Sequence, residues 1–121
     1  MKLVVAEPES DQLREHLADP AGEAVTSALS VIEVSRAVGR SALGPAAPAR
    51  TEAVLAAVDL REIDSDVVAA AARLEPADVR SLDAIHLATA LELADELDEL
   101  VTYDRRLADA ARTHGLRAVA P

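Results

Sequence analysis

From Glu23 to Ala120 short apolar runs alternate with longer helical segments, and this alternation restricts the chain to an α/β architecture with parallel strands. The segments Glu23 to Leu29, Leu60 to Ile63, Leu100 to Tyr103 and Arg117 to Ala120 read as strands. The intervals read as helices over Ser30 to Leu43, Ala49 to Val58, Asp66 to Leu74, Ser81 to about Leu97 or a break near Ala94, and Arg105 to Thr113. Upstream, Met1 to Ala6 fits a short strand or the tail of a helix, and Asp11 to Leu17 an amphipathic helix ending near Asp19-Pro20-Ala21-Gly22. Tyr103 is the one aromatic residue, so Leu, Val, Ile and Ala must fill the core, which favours closely packed helices. A chain of 121 residues supports one such core, and hence a single domain, 1–121.

Within this pattern the stretch Ser81-Leu82-Asp83-Ala84-Ile85-His86-Leu87-Ala88-Thr89-Ala90 stands out. It sets a carboxylate, Asp83, in the first turn of an otherwise apolar helix. Ser81 as N-cap and the helix dipole give that acid an ordinary structural explanation, worth roughly 0.3–1 kcal/mol. Glu33 and Asp104 occupy comparable positions. Glu33 has its own structural explanation in Ser30-Val31-Ile32-Glu33, which has the form of a capping box, and Asp104 is a natural N-cap. Yet Glu33 and Asp104 follow expected parallel strands, where ligands bind at the carboxyl edge of an open sheet, and Asp83 heads a helix that can reach the same edge. Three converging carboxylates require a cation, and all-oxygen ligation suits Mg2+ or Mn2+. Such an ion most often acts on phosphate esters.

Other chemistries are excluded by what is missing. Without cysteine there are no disulfides, thiolate ligands or thiol nucleophiles. The chain has no G-x-S-x-G elbow, Walker A loop or G-x-G-x-x-G fingerprint, and His16, His86 and His114 lack metal-ligand spacing. A phospho-receiver domain would need a C-terminal lysine, but the only lysine is Lys2. With 22 acidic against 12 basic residues the formal charge is −10, so nucleic acid is held locally and not by a broad basic surface. The acids Glu92, Asp95, Glu96, Asp98 and Glu99 read as a solvated helix face. No apolar run reaches membrane-spanning length and no signal peptide is evident, which predicts a cytoplasmic protein without membrane contact.

The sequence resembles the PIN-domain family, and within it the small VapC-type toxin ribonucleases of toxin-antitoxin pairs. Lys2 to Ser10 resembles the family's first helices, Thr26 to Val34 its second motif, Leu82 to Ala90 its third and Val101 to Leu107 its fourth. The resemblance implies a PIN-like three-layer fold in which a short parallel sheet is flanked by helices. It implies a Mg2+-dependent ribonuclease with Glu33, Asp83 and Asp104 as three members of an acidic quartet around the metal, supported by Thr102. Metal-activated water would attack phosphorus in line and release a 3′-hydroxyl. An RNA substrate, a cognate antitoxin that covers the site and a homodimer are the implied partners.

The family's central first strand and its first catalytic Asp have no counterpart after Met1. One expectation is a start assigned too late, since GTG reads as Val internally and as Met at a start, and the Ala- and Arg-rich composition suits a GC-rich genome. A second is that Lys2 to Ala6 enters the vacant strand position and brings Glu7 near the metal. A catalytically impaired module that binds an antitoxin without cleaving RNA is the alternative function.

Overall fold

The structure, a computed structural model, describes Glu15, residues 24–40 and residues 44–121. The readings of Met1 to Ala6, of Glu7 and of the Asp11 to Leu17 helix apart from Glu15 therefore lie outside the described residues. The chain divides into two compact units, Met1–Arg61 with Pro121 and Glu62–Ala120.

In the first unit β1 (Val25–Ser27) leads into α1 (Leu29–Arg40), followed by α2 (Ala47–Ala56) and β2 (Asp59–Arg61). The strands pair in parallel, with Val25 opposite Asp59 and Ser27 opposite Arg61. Asp59 N–H donates to the Ala24 carbonyl (2.8 Å) and Ala28 N–H to that of Arg61 (2.7 Å), extending the ladder at both ends. Polar residues limit β2 to three exposed positions, and Asp59 and Arg61 form an ion pair of 3.2 Å on it. Gly44 turns the chain into α2 at φ 83°, a conformation glycine adopts without the penalty a Cβ brings. Pro48 then sits in the first turn of α2, where no intrahelical donor is needed. Buried Thr51 returns its hydroxyl to the Ala47 carbonyl (2.9 Å), satisfying a polar group inside the unit.

The second unit runs through α3 (Ser65–Ala72), α4 (Ser81–Glu92), β3 (Leu100–Val101), α5 (Arg105–Thr113) and β4 (Ala118–Val119). β3 and β4 are parallel, pairing Leu100 with Ala118 and Val101 with Val119. Leu87, Leu107, Ala108, Ala110, Ala111 and Ala118 form its core, with Leu74, Val79, Leu91, Leu100 and Leu116 packed around them. The preponderance of Ala is what the lack of aromatic residues requires: helices approach closely because few long side chains separate them. α5 ends in a Schellman arrangement, with Leu116 N–H donating to the Ala111 carbonyl and Gly115 N–H to that of Arg112, both at 3.0 Å. Gly115 supplies the left-handed turn at φ 84°.

The α/β class and the parallel pairing expected from the alternation are both present. The strands are shorter than expected, two or three residues each, because only those residues complete ladder hydrogen bonds. Two caps differ from the sequence reading. Ser30 lies inside the first turn of α1 and bonds the Thr26 hydroxyl (2.7 Å), so the expected capping box is replaced by Ser27 Oγ, which accepts from Leu29 N–H (3.2 Å). Ser81 is likewise the first helical residue of α4, whose N-cap is Arg80, with no side-chain cap. The acidic run also departs from expectation: α4 ends at Glu92, and residues 93–96 continue as turns in which Glu96 N–H donates to the Leu93 carbonyl (2.9 Å). Glu92, Asp95, Glu96 and Asp98 are exposed, so the run is solvated, but it is not a helix face.

Candidate functional site

At the carboxyl end of β3 the ladder gives way to the turn Thr102-Tyr103-Asp104. Thr102 N–H still donates to the Val119 carbonyl (3.0 Å), holding the turn against β4. Thr102 Oγ1 accepts from Asp104 N–H (3.1 Å), which fixes the backbone at the start of α5. Asp104 then caps that helix through one oxygen: Oδ1 accepts from Arg106 N–H (2.8 Å) and Leu107 N–H (3.3 Å). Its Oδ2 has no partner among the described residues and the residue is exposed, so this oxygen faces water and can take a ligand. The cap role and the ligand role expected of Asp104 are compatible, because they use different oxygens.

Asp83, in the same unit, is half-buried in the first turn of α4, where the positive end of the helix favours a negative charge. Buried Ala84, Leu87, Ala88 and Thr89 follow it and fix the helix in the unit's interior. Thr89 hands its hydroxyl to the Ile85 carbonyl (2.8 Å), so no buried donor is left over. His86, one turn after Asp83, is half-buried.

Glu33 belongs to the first unit. It is half-buried in α1, the helix that leaves the carboxyl end of β1, as the sequence pattern predicts. The Thr26–Ser30 and Ser27–Leu29 hydrogen bonds tie the end of β1 to the first turn of α1 and so fix the turn that precedes Glu33.

A further acidic group was not singled out from the sequence. Asp64, Asp66 and Glu92 present ligand atoms within 4.8 Å of one another, and all three are exposed. This group could hold a metal. It joins the start of α3 to the end of α4, and nothing in the spacing of 64, 66 and 92 announces that meeting; only the packing of the two helices creates it. Asp64 Oδ1 is already engaged, accepting from Val67 N–H (2.9 Å) as the cap of α3.

The PIN domain family model matches residues 1–113. Ribonuclease VapC46 of Mycobacterium tuberculosis is 45% identical over 121 residues, covering all of this chain and 91% of that protein. Ribonuclease VapC35 of the same species is 43% identical over 124 residues, covering all of this chain and 90% of the relative. Ribonuclease VapC47, also from M. tuberculosis, is 37% identical over 123 residues, with 99% and 90% coverage. No solved structure matches. A family match across nearly the whole chain and relatives above one-third identity lead to one assignment: the chain belongs to the PIN-domain family and is a VapC-type member of it.

Proposed function

We propose that this chain is the endoribonuclease toxin of a toxin-antitoxin pair, hydrolysing RNA phosphodiester bonds at a metal site to which Glu33, Asp83 and Asp104 contribute. The observation that carries the site assignment is the Thr102-Tyr103-Asp104 turn, where one carboxylate oxygen is spent on capping and the other has no partner among the described residues. The donor set fits a hard divalent cation, since every proposed ligand is a carboxylate and no sulfur is available in the chain. Mg2+ is the ion in this reading, with Mn2+ as its substitute. Held by these carboxylates, such an ion would supply Lewis-acid polarisation of a phosphoryl oxygen and a more acidic water. Thr102 orients Asp104, and Asp83 brings a negative charge to the positive end of α4. Asp64, Asp66 and Glu92 are left outside the site, because they are exposed and Asp64 already serves as a cap.

Residues 1–121 act as one domain in this reading, supported by a single family model that spans 1–113. The names of the relatives support RNA as substrate, and the VapC resemblance supports a cognate antitoxin as the inhibiting partner and a homodimer as the assembly. A cytoplasmic location belongs to the same reading; the described residues contain no helix long and apolar enough to cross a membrane.

The deciding experiment is a Mn2+ titration of the metal-free protein followed by magnetic resonance, run beside cleavage of a single-stranded RNA. Glu33→Gln, Asp83→Asn and Asp104→Asn should each weaken Mn2+ binding and reduce cleavage by at least about 100-fold, the scale lost when charge stabilisation of the transition state is removed. Cleavage and Mn2+ affinity that survive Asp104→Asn would remove Asp104 from the site.

A further inference from the structure

The helices of the second unit do not start alike. α3 and α5 are each capped by an aspartate, Asp64 and Asp104, whereas α4, which carries Asp83 in its first turn, follows Arg80 with no side-chain cap. A first turn without a cap frays more readily, so the placement of Asp83 depends on how firmly the preceding connection is held. That connection, residues 73–80, packs Leu74 and Val79 against the core, while Glu75, Pro76, Ala77 and Asp78 between them are exposed. Among the described residues one hydrogen bond ties this exposed stretch to another element: the Glu75 carbonyl lies 2.5 Å from Nε2 of His114, 39 residues away in the chain.

We propose that His114 is a positioning residue for Asp83, an inference that rests on the metal-site reading of that carboxylate. A carbonyl only accepts, so Nε2 of the imidazole carries the proton and donates it. The ring is launched from a well-held backbone: His114 is the C-cap of α5, and its N–H donates to the Ala110 and Ala111 carbonyls (3.3 and 3.1 Å), both core residues. From Glu75 the constraint continues in short steps. Val79 N–H donates to the Pro76 carbonyl (3.1 Å), closing a turn, and Ala84 N–H donates to the Arg80 carbonyl (2.8 Å), closing the first turn of α4 around Asp83. The His114 bond is exposed and adds little net stability, because water competes for both groups. What it restricts is where the connection lies, and with it the placement of Asp83 in the unit.

The test uses the full chain with His114→Ala and His114→Gln, since the glutamine amide can donate to the same carbonyl. Mn2+ affinity of the metal-free protein, backbone amide exchange and the nitrogen-15 spectrum of the His114 ring are measured by magnetic resonance, with circular dichroism as the check on folding. At mildly alkaline pH the wild-type ring carries its proton on Nε2. His114→Ala weakens Mn2+ binding by roughly 2- to 30-fold, while His114→Gln stays within about twofold of wild type. The Ala84 N–H exchanges faster in His114→Ala, and the Ala108 N–H, bonded to the Asp104 carbonyl in the first turn of α5, does not. In an Asp83→Asn background His114→Ala causes no further loss of Mn2+ affinity, because both substitutions act through one carboxylate. Equal Mn2+ affinity in wild type and His114→Ala, or the same loss with and without Asp83, overturns the positioning role and leaves the metal site standing. A ring protonated on Nδ1, or equal losses in the Gln and Ala variants, also overturns it, since the donor to Glu75 would then not matter. A wild type that binds no Mn2+ brings down the metal-site reading, and the inference with it.

Discussion

Asp104 divides its two oxygens between structure and chemistry, and the division depends on Thr102. The Thr102 hydroxyl takes the Asp104 N–H at 3.1 Å, so the carboxylate starts α5 from a fixed backbone. This bond is solvent-exposed, and its net contribution to stability is therefore about 1 kcal/mol or less. Its contribution to the site is larger, because a partner that orients a ligand changes metal affinity by roughly 10-fold or more. Thr102→Ala should thus leave the thermal midpoint almost unchanged while weakening Mn2+ binding about 10-fold, and Thr102→Ser should restore it. Equal Mn2+ affinity in wild type and Thr102→Ala would confine the hydroxyl to a structural role. Asp104 was legible in the sequence as the residue that starts α5, since an acid between an expected strand and an expected helix is a natural N-cap, and it caps that helix. Ser30 and Ser81 were misread for a physical reason. A serine near a helix start matches the cap pattern in several registers, and the one adopted depends on which neighbouring hydroxyl or amide competes for it. For Ser30 that competitor was the Thr26 hydroxyl.

The helix start set by aspartate was read correctly from the sequence at α5, because a short carboxylate reaches the backbone amides two and three residues ahead in only one register. Strand lengths were not. Apolar runs of four to seven residues met the pattern, but parallel pairing in each unit completes hydrogen bonds over only two or three of them, and no local signal records where a distant partner stops. The acids of residues 92–99 had the same problem: α4 stops at Glu92 and the chain continues in turns, a boundary with no Gly or Pro to mark it. At α3 cap and charge can be separated experimentally. Asp64→Ala removes the bond to Val67 N–H and should cost about 1 kcal/mol in urea denaturation, whereas Asp64→Asn keeps an accepting oxygen and should cost little. Neither substitution should alter Mn2+ affinity. A large loss in Asp64→Asn would instead give Asp64, Asp66 and Glu92 the metal.

For the molecule as a whole, the balance of charge decides how RNA can be held. A nuclease of formal charge −10 cannot follow a polyanion along a basic track, and its arginines must act where they stand. Arg80 precedes the turn that carries Asp83, and Arg105 and Arg106 follow Asp104; all three are exposed. Each releases about 0.7 of a counterion on meeting a single-stranded phosphate, so three contacts predict a slope of log K against log salt no steeper than about −2. Anisotropy measured with metal-free protein between low and physiological salt provides that slope. Replacing Arg105 and Arg106 together by Gln should flatten it by more than half, because only one of the three contacts remains. A slope near −5 would require cations from well beyond this turn and would show that RNA is gripped along an extended surface. The shallow slope is the expected result because extended grip and strong acidity compete: each added phosphate contact must overcome the field of the remaining carboxylates, whereas a local contact is screened from most of them within a Debye length of about 8 Å.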